Sequence, residues 1–342
     1  MTERDTSRNQ GEVAPNARYV RSLASDLDGF LRAGWCGQTG FVDEGQRASM
    51  LRAAAPAADT LAWVCELLGA THVVDTAEMP GGSAAAMHRV RVSLRAGGQV
   101  EVALRRYVLT DQVEAPSVAR WEANALGLAG RAAVPTPELL GADVDGDRSD
   151  VPAIVMSLLP GRPVWETRRG REWVSQVVDA MLALHEIDPA GVELAPFERY
   201  VQTRWWKPPR WTDRPELWER AMELFEGPAP TSMNGFIHRD VNPGNVLWVR
   251  DRLSGLVDWQ TACVGPRSID PAHCRLNLFQ YQPQLADELL KVWEERCGLR
   301  FDRWADLVSI LGDLDQIGRR RTPNETTFWI ERAIEQAVAE LS

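Results

Sequence analysis

The run His238-Arg239-Asp240-Val241-Asn242-Pro243-Gly244-Asn245-Val246-Leu247 decides how the rest of the chain is read. Thirteen residues after Asn245 comes Asp258, inside Leu256-Val257-Asp258-Trp259, so three oxygen-bearing side chains stand at fixed intervals. Asn245 to Val249 and Gly255 to Asp258 have the apolar character of a strand pair flanking an Arg250 to Ser254 turn. In such a hairpin Asn245 begins one strand and Asp258 ends the other, and their side chains are expected close together. A carboxamide and a carboxylate suit a hard dication whose shell is completed by water and nucleotide phosphates, so Mg2+ is the expected ion. Asp240 sits on the turn entering the hairpin, where it can accept a hydroxyl proton as phosphate transfers. The competing reading is a set of acidic turn residues that cap a hairpin.

Outward from this run the periodicity changes twice. Between Thr71 and Tyr107 the pattern is that of strands: Val73 and Val74, then Val90, Val92 and Leu94, then Val100, Val102 and Leu104, alternating with polar residues. Turns fall at Pro80 to Ser83 and at Gly97 and Gly98, a helix spans Ala119 to Leu128, and Leu139 to Ala142 and Ala153 to Met156 form short strands. Past Gly161 the spacing is helical: Val174, Val177, Val178, Met181, Leu182 and His185 share one face. Further helices are expected near Leu285 to Arg296, Trp304 to Ile317 and Thr326 to Leu341. The layout is α+β, with a small antiparallel-sheet lobe over residues 71–156 and a mostly helical lobe over 157–342. Ahead of them, residues 1–16 are polar and expected to be disordered, and 17–70 form a helical N-terminal extension with helical spacing at Tyr19 to Leu31 and Gly45 to Leu68.

The loop pattern resembles the kinase catalytic signature, His-Arg-Asp followed by four residues and Asn, then a metal-binding Asp. More closely, HRDVNPGNVLW with GLVDWQTACVGPRSID is similar to the aminoglycoside phosphotransferase and choline kinase group. Members of that group usually carry Gly where Arg239 stands. The resemblance covers roughly residues 71 to 342 and implies a two-lobed, protein-kinase-like fold. It implies Asp240 as catalytic base, Asn245 and Asp258 as Mg2+ ligands, and Asp270 as a brace for the loop. Read against the kinase Val-Ala-Ile-Lys strand, Val102-Ala103-Leu104-Arg105 puts Ala103 on the adenine and Arg105 on the phosphates, with Arg106 the competing cation and a plain strand arginine the alternative. Glu122, on the following helix, is the expected partner of Arg105. Gly81, Gly82 and Ser83 join two strands where backbone N–H groups could meet a polyphosphate. Met156, Ser157 and Leu159 resemble the lobe-linking segment that borders adenine, and a buried strand ending in a turn is the plainer reading.

Composition narrows the partners. A net charge of -10 argues against nucleic acid, which needs a basic face, and fits a cationic small acceptor better. No stretch has the apolar run of a membrane helix or signal peptide, so the expected location is the cytoplasm. Five cysteines without CxxC spacing indicate neither a zinc site nor a disulfide framework. Of the 14 tryptophans, Trp205, Trp206, Trp211 and Trp218 cluster in one proline-rich stretch, open to both a core and an acceptor-facing role.

The expected reaction is transfer of the terminal phosphoryl group of ATP or GTP to a hydroxyl of a small molecule. Aminoglycoside-like or other antibiotics lead, and choline, a sugar or an amino alcohol are the alternatives. A protein kinase is disfavoured: eleven residues between Asp258 and Asp270 leave no room for a long activation segment. A silent nucleotide-binding protein, suggested by Arg105 in place of lysine, is disfavoured by the retained Asp240, Asn245 and Asp258.

Overall fold

The computed structural model describes residues 44–79, 85–198, 206–227, 233–318, 320 and 322–342. The helix expected at Tyr19 to Leu31, the turn with Gly81, Gly82 and Ser83, and Trp205 lie outside the described residues. The chain forms two compact units, one running to Pro116 and including Asp143–Val155, the other made of Ser117–Ala142 and Met156–Ser342.

The first unit opens with α1 (Glu44–Ala53) and α2 (Ala58–Leu67). The single helix expected over Gly45 to Leu68 is divided because Pro56 lacks an N–H and pushes the residue before it out of the helical region. Strands β1 (Ala70–Met79), β2 (Ala86–Leu94) and β3 (Gln99–Arg106) follow as an antiparallel meander, with Val90 opposite Val102 and His88 opposite Leu104. The alternation read in the sequence is the burial alternation of β2: Val90 and Val92 are buried, as are Val102 and Leu104 of β3. β5 (Ala153–Ser157) continues the sheet beside β3, in the order β1-β2-β3-β5.

Arg106, the competing cation, has a structural place. Its guanidinium is fully buried, pairs with both oxygens of Asp150 and donates to the Ala54 carbonyl at 2.9 Å. Thr60 Oγ1 donates to Asp150 at 2.7 Å, so the buried carboxylate ties α2 to the sheet. Burial and the Arg106 charge push the neighbouring His88 imidazole down to about 4, the nearby Asp150 opposing them.

The second unit takes α3 (Ala115–Ala129) from Ser117 onward and β4 (Leu139–Asp143) up to Ala142. Its helices are α4 (Arg171–His185), α5 (Pro215–Glu226), α6 (Ile269–Tyr281), α7 (Ala286–Cys297), α8 (Trp304–Gly312), α9 (Leu314–Gly318) and α10 (Glu325–Leu341). The helix expected from Trp304 to Ile317 breaks at Gly312 and Asp313 into α8 and α9. α6 packs on α7 and α8, and α10 on α5 and α8.

Two small sheets sit among the helices. β7 (Asn234–Ile237) pairs with β10 (Cys263–Pro266), and β6 (Arg162–Pro163), β8 (Val246–Val249) and β9 (Arg252–Leu256) run in the order β6-β8-β9. Gly161, at φ 115, lies so close to the hairpin that a Cβ there would collide with Ser254 Oγ and meet the Trp248 carbonyl oxygen at 2.9 Å. The tryptophan-rich stretch resolves toward the core where it is described. Trp211 donates to the Ile317 carbonyl at 3.1 Å, the fully buried Trp218 donates to Glu331 at 3.0 Å, and the two rings meet edge to face. An indole whose N–H is bonded internally is packed material, so the acceptor-facing role for these two is corrected.

Candidate active site

β7 delivers the chain to His238, and the loop then turns through Arg239 at φ 72. A residue with a Cβ adopts that left-handed conformation at a cost of roughly 1–2 kcal/mol, so something must hold it. Asp270 does: its Oδ1 accepts from the Arg239 N–H at 2.6 Å and its Oδ2 from the His238 N–H at 3.3 Å and from His185 Nε2 at 2.9 Å. The Arg239 guanidinium turns away from Asp240, over the Phe197 ring at 4.8 Å and onto the Glu198 carbonyl. His238 is a loop-packing residue, its Nε2 at 3.1 Å from the Val257 carbonyl and its ring against Trp259.

The left-handed turn aims Asp240 outward, and both of its carboxylate oxygens are held. Oδ1 accepts from Asn242 Nδ2 at 2.8 Å and lies 2.8 Å from His273 Nε2; Oδ2 accepts from Asn245 Nδ2 at 2.9 Å. Burial alone would push this carboxyl up, but the hydrogen bond and charge of His273, the charge of His238 and the Asn242 amide together hold it below the usual carboxylate range. Burial likewise opposes charge on His273, yet Asp240 first, then Asp313 and Asp270, hold its imidazole above its ordinary value. Each group thus favours the charged form of the other at the wall of a cavity.

That cavity, about 410 Å3, lies wholly within the second unit. Its polar wall includes Asp240, Asn242, His273, Asn277 and Asp313, and Ile269, Leu276 and Val308 supply an apolar side. Trp165 closes one edge, its ring 4.7 Å from Tyr281. It is pressed onto the loop at Gly244, where a Cβ would meet the indole at 2.8 Å, so glycine is what allows the ring to lie there.

Asn245 and Asp258 are organised by the hairpin, though not as strand ends. Asn245 precedes β8 and belongs to the loop; its carbonyl accepts from Val257 N–H at 3.0 Å, which sets it beside the residue before Asp258. β9 ends at Leu256, and Asp258 stands beyond it at φ 69, outside the sheet. Among the described residues Arg239, Arg250 and Asp258 are the three with a Cβ and a positive φ, and all three fall in the loop-and-hairpin segment. Because Asn245 Nδ2 is given to Asp240, the side-chain Oδ1 is the atom of this amide that could meet a cation, and an oxygen pair of amide and carboxylate suits Mg2+. Among the described residues no cluster of three or more His, Cys, Asp and Glu could hold a metal ion.

The remaining expected residues stand as follows. Ala103 and Arg105 are both buried on β3 of the first unit. Glu122 is buried on α3 and Met156 at the end of β5, both in the second unit. The Ser157 N–H is already given to the Glu138 carbonyl at 2.9 Å, so of its backbone groups that donor is committed within the protein. Leu159 packs over Gly255 of the hairpin. Arg105 and Glu122 lie in different units, and their pairing stays an expectation. His273, Trp165, Asn277 and Asp313 are the site residues that sequence reasoning missed. The described cysteines Cys65, Cys263, Cys274 and Cys297 are free thiols, and burial pushes Cys263 up to about 11. Among the described residues no helix is long and apolar enough to cross a membrane.

The fold and loop can now be set beside known proteins. The phosphotransferase enzyme family APH matches residues 88–307, well over half of the chain, and the chain belongs to this family. A homoserine kinase of Rhodopseudomonas palustris (strain BisB5) is 29% identical over 161 residues, 44% of this chain and 48% of that protein. The chain thus spans about half the length of this curated relative. Among solved structures, a thermostable mutant of aminoglycoside phosphotransferase APH(4)-Ia in ternary complex with AMP-PNP and hygromycin B superposes with a TM-score of 0.53 at 15% identity, covering 83% of this chain and 98% of that one. Macrolide 2'-phosphotransferase MphH from Brachybacterium faecium gives 0.54 at 16% identity, covering 83% and 97%. These two likenesses bear on the fold, which is the two-lobed α+β kinase-like architecture.

Proposed function

We propose that this chain transfers the terminal phosphoryl group of ATP to the hydroxyl of a small acceptor, and that the acceptor is an amino alcohol of metabolic size. The observation that carries the reading is the Asp240 carboxylate, held on both oxygens at the wall of a cavity of about 410 Å3. Asp240 orients the acceptor hydroxyl and takes its proton as the oxygen bonds to phosphorus and the bond to the leaving diphosphate breaks. Asn245 and Asp258 would hold Mg2+, which when bound neutralises phosphate charge. Arg105 steadies the phosphates, with Glu122 pairing it, while Gly81, Gly82 and Ser83 cover them. Ala103, Met156, Ser157 and Leu159 border the base.

Two observations support an amino alcohol. The homoserine kinase relative is 29% identical to this chain over 161 residues. The cavity carries the Asp240 and Asp313 carboxylates beside the Asn242 and Asn277 amides, a set that suits an acceptor with an amino group and a hydroxyl. An aminoglycoside-like acceptor is the second reading, favoured by the net charge of -10 of the whole chain. A coupled ADP-release assay with Mg2+ and ATP or GTP decides between them, run over homoserine, choline, neutral sugars and aminoglycosides. Turnover highest on homoserine or a similar zwitterion supports the first reading. Turnover confined to aminoglycosides supports the second, and ATP binding without turnover on any acceptor removes both.

A further inference from the structure

α6 meets the catalytic loop twice. Asp270, in its first turn, grips the loop backbone through the Arg239 and His238 N–H groups. His273 follows three residues later and so faces the same side of the helix, where its Nε2 reaches Asp240 Oδ1 at 2.8 Å. One rigid helix therefore fixes both the path of the loop and the direction of the carboxylate it carries. Asn277, one turn further on, donates to the His273 carbonyl at 3.1 Å. The Asp240 and His273 side chains keep 32% and 27% exposure, whereas the purely structural His185 and Asp270 pair has none. A histidine spent on packing alone has no reason to stand at the open wall of the cavity with its ring nitrogen on the reacting carboxylate.

We infer that His273 is a positioning residue for phosphoryl transfer: its Nε2–H holds Asp240 Oδ1, while Asn245 holds Oδ2, in the rotamer that presents the carboxylate to an acceptor hydroxyl in the cavity. This rests on the reading of Asp240 as the base. The hydroxyl meets a carboxylate that is already oriented, and removing the imidazole contact lets it swing, at a cost in turnover rather than in nucleotide binding.

The test compares His273→Gln with His273→Asn. Glutamine puts an amide nitrogen about where Nε2 stands, while asparagine reaches only to the position of Nδ1, so two polar variants differ in whether the contact can be made. The expected result is kcat within about threefold of the parent for His273→Gln and at least about tenfold lower for His273→Asn, with the KM for ATP unchanged in both. Equal kcat in the two variants, whether high or low, overturns the proposal. Side-chain 15N–1H spectra supply a readout that needs no acceptor: the His273 Nε2–H resonance of the parent should be slowly exchanging and should lose that protection in Asp240→Ala. Its persistence in Asp240→Ala, or its absence from the parent, also overturns the proposal. Protection with no turnover on any acceptor would instead count against the phosphotransferase reading while leaving the contact established.

Discussion

Two aspartates thirty residues apart each receive a histidine Nε2, at 2.8 Å for Asp240 and 2.9 Å for Asp270, and they do opposite work. Asp270 is fully buried, and its oxygens are filled by two backbone N–H groups and a buried imidazole. Asp240 has three side-chain donors, yet about a third of it faces a cavity. The same pair chemistry thus builds a brace where water is excluded and, in the proposed reaction, a base where a ligand can enter. What separates the roles is access: each carboxylate receives three donors, and of the two only Asp240 stands where a ligand can reach it.

That contrast can be broken from either side. The largest effect is expected on turnover from the proposed metal arm: Asp258→Ala should lower kcat by about 100-fold or more, because the carboxylate proposed to hold Mg2+ is lost. Excess EDTA should do the same to the parent enzyme, with activity restored by Mg2+. Asp270→Ala should act on stability instead. Truncating one partner of a buried charged cluster costs about 3–5 kcal/mol, readable as a lower urea midpoint. If Asp270→Ala unfolds like the parent, the brace assignment fails.

A smaller effect separates the two units. His88 of β2 is held neutral by burial and by Arg106, its folded value of about 4 lying below the ordinary 6.5 of an unfolded chain. The unfolded state therefore binds the extra proton first, and stability falls as pH drops from about 6.5 toward 4. His88→Gln should flatten that part of the curve of urea midpoint against pH. The smallest change is expected at Arg239. Glycine adopts φ 72 without penalty, while arginine compensates with Phe197 and the Glu198 carbonyl. Arg239→Gly should therefore alter stability by only about 1 kcal/mol in either direction.

These cases also show why part of the site was legible in the sequence and part was not. The loop and hairpin are local: Asp240, Asn242 and Asn245 touch within five residues, so their spacing alone announces their meeting. The meander was legible through its alternation, and α4 through its one-sided apolar face. α6 gave no such signal because Ile269, Asp270, Cys274, Arg275, Leu276 and Phe279 are all buried, so polar and apolar residues alike face the interior and periodicity is erased. With α6 unread, His273 had no address, and its contact with Asp240 bridges 33 residues of sequence that only the fold brings together. The break at Gly312 and Asp313, which brings Asp313 to the cavity, was likewise hidden in a run that scans as one helix. The signal that could have exposed α6 was Asp270 itself, since a brace for the loop needs a rigid element behind it.

The most direct measurement is single-turnover phosphoryl transfer from ATP by Asp240→Ala beside the parent protein, with nucleotide affinity and urea midpoint recorded on the same samples. Loss of the base should slow transfer by about 100-fold or more while affinity and midpoint stay close to the parent values. Transfer at the parent rate by Asp240→Ala would contradict the account.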